Sequence, residues 1–90
     1  MELKDTVEMM LSDDYRERFK AEFHQANHRV NRLMIMLDKY DCGVLPFEPS
    51  CPIDLLRKQK KIMQEYVDLL SMRAECENIE LYPQHFCSQG

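Results

Sequence analysis

Three histidines, four cysteines and a set of unevenly spaced arginines are the side chains in this 90-residue sequence with chemistry to offer. His24 and His28 are four apart, so on a helix both imidazoles leave one face and could share a metal ion. No carboxylate or thiolate stands at a matching step, since Glu22 and Gln25 point elsewhere. Two histidines on a solvated or subunit-facing surface are therefore expected, with a structural metal as the alternative. A nucleophile needs a base oriented by a third group. Cys76 falls on an apolar edge of a helix pattern, and Cys87 lies two residues from His85 in a tail, where nearness in sequence rarely gives fixed geometry. The sequence has no glycine-rich phosphate loop and no paired-carboxylate motif. The expectation is a protein that is not an enzyme and uses no cofactor.

Binding offers more. Gln59, Tyr66 and Arg73 recur every seven residues between two apolar edges, Leu55, Ile62, Leu69 and Cys76 on one side and Leu56, Met63 and Leu70 on the other. Helix periodicity asks for apolar groups there, and a buried arginine needs an anionic partner. In one reading Glu22 or another acidic residue of the preceding helix satisfies Arg73 internally. In the other the row opens into a cleft between subunits, where Arg73, Tyr66 and Gln59 meet a phosphate, a base face and a base edge. Arg16, Arg18, Lys20, Arg29 and Arg32 form one basic group and Arg57, Lys58, Lys60 and Lys61 another. Antiparallel helices would bring Arg29, Arg32, Arg57 and Lys61 to one end, a place that draws a small dianion.

The elements that must position these groups follow from few breakers, two glycines and four prolines. Residues 41–51 read as a stiff loop with Phe47 as an anchor. Upstream, Ser12 is a good N-cap with Asp13 and Asp14 in the first turn. Tyr15, Phe19, Phe23, Ala26, Val30, Leu33, Leu37 and Tyr40 then recur at steps of three and four, predicting a long helix over 13–40. Downstream, Ser50 or Cys51 caps a second long helix over 52–78, with Pro52 in its first turn. A short helix over 2–11 places Leu3, Val7, Met10 and Leu11 on one side, and 82–90 reads as an irregular tail. The fold class expected is all-α, a single domain over 1–90: an antiparallel helical hairpin with a short N-terminal helix folded against it.

Such a hairpin has a thin core, so copies of the chain are expected to associate into a homo-oligomer. Seven methionines supply adaptable surface for self-association or serve as core filling under the short helix. The net charge of −4 argues against a protein that coats nucleic acid. No apolar run is long enough for a membrane span. Glu2, Asp5 and Glu8 interrupt what a signal peptide would keep apolar, so a cytoplasmic location and reduced cysteines are expected. Cys42 and Cys51 flank one loop, where oxidation could bridge them.

The motifs S-D-D-Y-R-E-R-F-K-A-E-F at 12–23, C-P-I-D-L-L-R-K-Q at 51–59 and M-R-A-E at 72–75 resemble those of small uncharacterised proteins of phages and prophages of gut bacteria, crAss-like phages among them. More loosely, the chain resembles the phage sponge proteins that block CBASS and Thoeris immunity, through Tyr15-Arg16 ahead of the first long helix and Arg73-Ala74 near the end of the other. That resemblance implies a hexameric helical hairpin in the bacterial host cell that sequesters a cyclic oligonucleotide or cyclic ADP-ribose isomer without cleaving it. It also implies that Tyr15, Arg16 and Arg73 touch the ligand. The sequence departs from the sponges in having His24 to His28 where they carry a glycine and Gln59 where they often carry a threonine. Taken with the residue reading, the expected binding set is Tyr15, Arg16, Arg29, Arg57, Gln59, Tyr66 and Arg73. The alternatives are an inhibitor that grips a host defence nuclease and a structural oligomer without ligand.

Overall fold

The computed structural model describes residues 3–82. A 3-10 turn, Leu3–Thr6, runs into the short helix α1, Val7–Met10; the long helices α2, Tyr15–Asp41, and α3, Ile53–Glu77, follow. The described residues contain no strand. Side chains tie the long helices at both ends, Asp41 to Arg57 beside the connecting loop and Tyr15 to Glu77 at the open end, so the two helices run antiparallel as a hairpin.

Local chemistry sets the boundaries. Asp14, not Ser12, caps α2: its carboxylate accepts from the Arg16 N–H at 2.9 Å, while the Ser12 hydroxyl accepts from the Asp14 N–H at 3.0 Å. The side chain nearer the first free N–H groups takes the cap. At the other end, Gly43 adopts a left-handed conformation (φ 76) and lets the Val44 N–H turn back onto the Lys39 carbonyl at 2.9 Å. Pro52 itself stands at the N-cap of α3, so the helix begins at Ile53, one residue later than the sequence suggests. Asn78 ends α3 in the left-handed region (φ 58), and the Ile79 N–H closes on the Ala74 carbonyl at 2.8 Å.

The core joins Phe19, Phe23 and Val30 of α2 to Val67, Leu70 and Ala74 of α3, with Ile79 buried beyond the turn and Ala26, Met63 and Leu81 packed on the rim. Each large aliphatic or aromatic side chain buried this way contributes about 1.5–3 kcal/mol. The α2 stripe follows the sequence pattern, except that Tyr15 and Tyr40 at its ends are exposed. On α3 the inward stripe is Met63, Val67, Leu70, Ala74. The edge Leu55, Ile62, Leu69, expected to help cover the partner helix, is instead more than half exposed. One helix can seat only one stripe on its neighbour, and the stripe with the small residues Val67 and Ala74 allows the closer approach.

The N-terminal segment differs in a similar way. Val7, Met10 and Leu11 are exposed, and the residue that docks is Thr6, 1% exposed. Its hydroxyl donates to the Leu3 carbonyl at 2.7 Å and accepts from the Gln25 amide of α2 at 2.9 Å. Phe47 does not anchor the loop in the core. It is 55% exposed and, with Leu45 and Pro46, walls a groove of about 520 Å³ against the last turns of α2.

Candidate ligand-binding site

The open end of the hairpin gathers the two ends of the chain's long helices. Tyr15 and Arg16 belong to the first turn of α2; Arg73 and Glu77 lie one turn apart near the end of α3. The Tyr15 hydroxyl donates to Glu77 Oε1 at 2.8 Å and accepts from Arg73 Nη2 at 2.7 Å, and Arg73 Nε donates to Glu77 Oε2 at 3.2 Å. The guanidinium lies over the Phe19 ring, 4.9 Å from its centre, a cation–π contact that fixes its plane. Arg16 Nη2 donates to the carbonyls of Glu77 at 3.1 Å and of Asn78. A cation there also complements the negative end of the α3 dipole. The bond to Glu77 raises the Tyr15 hydroxyl above its ordinary pKa, because the carboxylate favours the protonated phenol.

Two donors, one phenol and one guanidinium, thus converge on both oxygens of a single carboxylate. That arrangement holds an oxyanion of one or two oxygens in a fixed orientation. The cluster is exposed: Tyr15 is 46% and the Arg73 side chain 51% accessible.

The sequence-derived candidates therefore separate. Tyr15, Arg16 and Arg73 come together. Arg73 is neither buried nor satisfied by Glu22; its partner is Glu77, on its own helix. Glu22 accepts the hydroxyl of Tyr66 instead, which sets Tyr66 on the same side of the hairpin. Gln59 is exposed on α3 and Arg29 exposed on α2. Arg57 lies at the loop end, where its guanidinium grips both oxygens of Asp41, at 2.6 and 3.2 Å. That bond holds the Asp41 carboxyl below its usual range. Arg57 and Arg73 lie sixteen positions apart on α3, about 24 Å at 1.5 Å per residue, so one protomer cannot bring both to one small ligand. Glu77 is the member sequence reasoning missed, since it faces Tyr15 across 62 positions.

His24 belongs to the core. It is 8% exposed, its Nε2–H donates to the Leu81 carbonyl at 2.9 Å, and it meets Phe23 and Tyr82 edge to face. Burial pushes its pKa down, partly offset by the Leu81 bond. With that nitrogen engaged and His28 only half-buried, the pair is not a matched surface couple. Among the described residues no group of three or more histidine, cysteine or acidic side chains is placed to hold a metal. Cys42, Cys51 and Cys76 are exposed free thiols; Cys87 and His85 lie outside the described residues. No helix among the described residues is long and apolar enough to cross a membrane.

The family model of Sequestin matches residues 13–76, more than half of the chain and the span that holds Tyr15, Arg16 and Arg73. The chain belongs to the Sequestin family. No curated protein and no solved structure matches it. The Sequestin name denotes holding a molecule rather than converting it, which is compatible with a sponge role. The matched span begins two residues before α2 and ends one residue before Glu77, so it takes in nearly the whole hairpin and leaves α1 outside.

Proposed function

We propose that the protein is a phage-encoded counter-defence sponge. It binds a cyclic nucleotide immune signal, a cyclic oligonucleotide or a cyclic ADP-ribose isomer, in the host cytoplasm and holds it without cleavage. Family membership supports sequestration, and the observation that carries the ligand class is the pair of donors from Tyr15 and Arg73 on one carboxylate. A phosphate offers the same oxygens with greater charge. An exposed ion pair such as Arg73 with Glu77 is screened by water and worth little, so a phosphate displaces the carboxylate at small cost. Arg16, one residue along, adds a second cation, and the exposed ring of Tyr15 gives a base something to lie against. Tyr66, Gln59, Arg29 and Arg57 complete the proposed set through other protomers of a homo-oligomer.

Thermal-shift titration against cyclic di- and trinucleotides and cyclic ADP-ribose isomers tests the reading. The expected result is a concentration-dependent rise in Tm with at least one of them and recovery of that ligand intact by chromatography after the protein is denatured. A panel that gives no shift, or a ligand recovered as fragments, overturns it.

A further inference from the structure

The loop end of α2 carries a groove that the packing of the hairpin does not use. Val30 and Leu37 are buried. Arg32 and Lys39, two positions beyond each, stand about 200° round the helix from them at 3.6 residues per turn, on the side turned away from the core. Ile35 and Met36 fall between the two cations, so Arg32, Ile35, Met36 and Lys39 take positions i, i+3, i+4 and i+7 of one helix face. Leu45 and Phe47 of the connecting loop wall that face and make it a groove of about 520 Å³. Ile35 and Phe47 are 52% and 55% exposed along it, a contiguous apolar surface and not the scattered single residues of an ordinary one.

Charge selects the occupant. The charged residues that line the groove are Arg32 and Lys39, both basic, in a chain of net charge −4. Ion pairs among the described residues engage Lys20, Arg57 and Arg73 and leave Arg32 and Lys39 without a carboxylate. The two cations are about 10 Å apart along the axis, with apolar surface between them. Nucleic acid asks for a longer run of cations, and a lone phosphate uses neither the apolar floor nor a second cation at that distance. A helix with carboxylates at i and i+7 and leucine-sized side chains at i+3 and i+4 repeats the groove's spacing with the opposite charge. We infer that the groove docks an acidic amphipathic helix of a partner protein, with its apolar side chains seated between α2 and Phe47 and its carboxylates on Arg32 and Lys39. Met36 gives the floor a side chain that adapts to what lies on it. Walls on two sides suit a single helix and not a flat anionic membrane. The groove lies at the loop end and the Tyr15–Arg73–Glu77 cluster at the open end, so docking is a second function that does not rest on the sponge reading.

Fluorescence anisotropy of the full chain with a labelled helical peptide of pattern E-x-x-L-L-x-x-E tests the assignment. Saturable binding at micromolar concentration is expected. Arg32→Glu with Lys39→Glu is expected to weaken it at least about tenfold, because like charges then meet, and Phe47→Ala to weaken it by about tenfold through loss of the aromatic wall. All three positions are exposed, so helical circular dichroism should be unchanged in the variants. A control peptide with lysines in place of the glutamates is expected not to bind. No binding of the acidic peptide, equal binding of the basic one, or affinity that the variants leave unchanged overturns the docking site. A doubled mass by light scattering that Ile35→Glu abolishes overturns it in favour of a second copy of the chain. Binding to phosphatidylglycerol vesicles without binding to the peptide overturns it in favour of a lipid surface. Peptide binding in a protein that answers no cyclic nucleotide supports docking while the sponge reading fails.

Discussion

Tyr15, the first residue of α2, donates its hydroxyl proton to Glu77, the last residue of α3, at 2.8 Å. The bond closes the open end of the hairpin and places Arg73 over Phe19. Position and chemistry are joined here: the same contact that staples two helix ends builds the oxyanion-binding pair. Glu77 is both a stand-in for the ligand and its competitor.

Replacing that competitor separates the two roles. Glu77→Gln keeps a hydrogen-bond acceptor for Tyr15 and removes the negative charge beside Arg73. Affinity for the anionic ligand is expected to rise about threefold to tenfold, in line with loss of a competing charge-assisted bond. The Tyr15 hydroxyl should also titrate closer to its ordinary value, which ultraviolet absorbance of the phenolate reads directly.

The two stripes of α3 predict opposite outcomes for adjacent leucines. Leu70 is 1% exposed and Leu69 57%. Leu70→Ala should destabilise the fold by about 2–5 kcal/mol through lost burial and a residual cavity. Leu69→Ala should leave the unfolding of dilute protein within about 0.5 kcal/mol and change only its concentration dependence. Urea unfolding at two protein concentrations distinguishes them.

Much of this geometry was legible in the sequence, and the limits are physical. Phe19, Phe23, Val30 and Leu37 announce the buried face of α2 because the helix has a single apolar stripe there. α3 has two, and periodicity cannot say which one meets α2. Val67 and Ala74, small and easily overlooked, decide it, and they turn the row of Gln59, Tyr66 and Arg73 outward. Arg73 was readable as a candidate from the row it shares with Gln59 and Tyr66, whereas Tyr15 and Arg16 were readable as ligand contacts only through resemblance. Glu77 was invisible, since its neighbours in space lie more than 55 residues away in sequence apart from Arg73. His24 was misplaced because spacing alone shows two histidines on one face and not how deep each one sits.

His24 should make stability pH-dependent. Burial makes its ring harder to protonate in the folded chain than in the unfolded one, where the ordinary value is 6.5. Below that value the unfolded state binds more protons, so the contribution is complete above about pH 6.5 and is lost progressively as pH falls. Urea midpoints measured from pH 7.5 down to 5.5 are expected to fall, and His24→Phe is expected to flatten the decline, leaving the acidic residues to act at lower pH.

Asn78 holds the C-terminus of α3 with a left-handed backbone, a conformation that costs a β-branched residue about 1–2 kcal/mol and glycine nothing. Asn78→Gly should match the wild-type Tm, while Asn78→Val should lower it and loosen the carbonyls that Arg16 grips.

Calorimetric titration of the full chain with the responding cyclic nucleotide, alongside Arg73→Ala and Arg16→Ala, puts the oxyanion site itself to the test. Saturable binding is expected for the wild type, with affinity lower by about tenfold to a hundredfold in each variant, the loss that follows from removing a charge-assisted bond to phosphate. Unchanged affinity in both variants, at preserved helical content, would contradict a site built on the Tyr15–Arg16–Arg73 cluster.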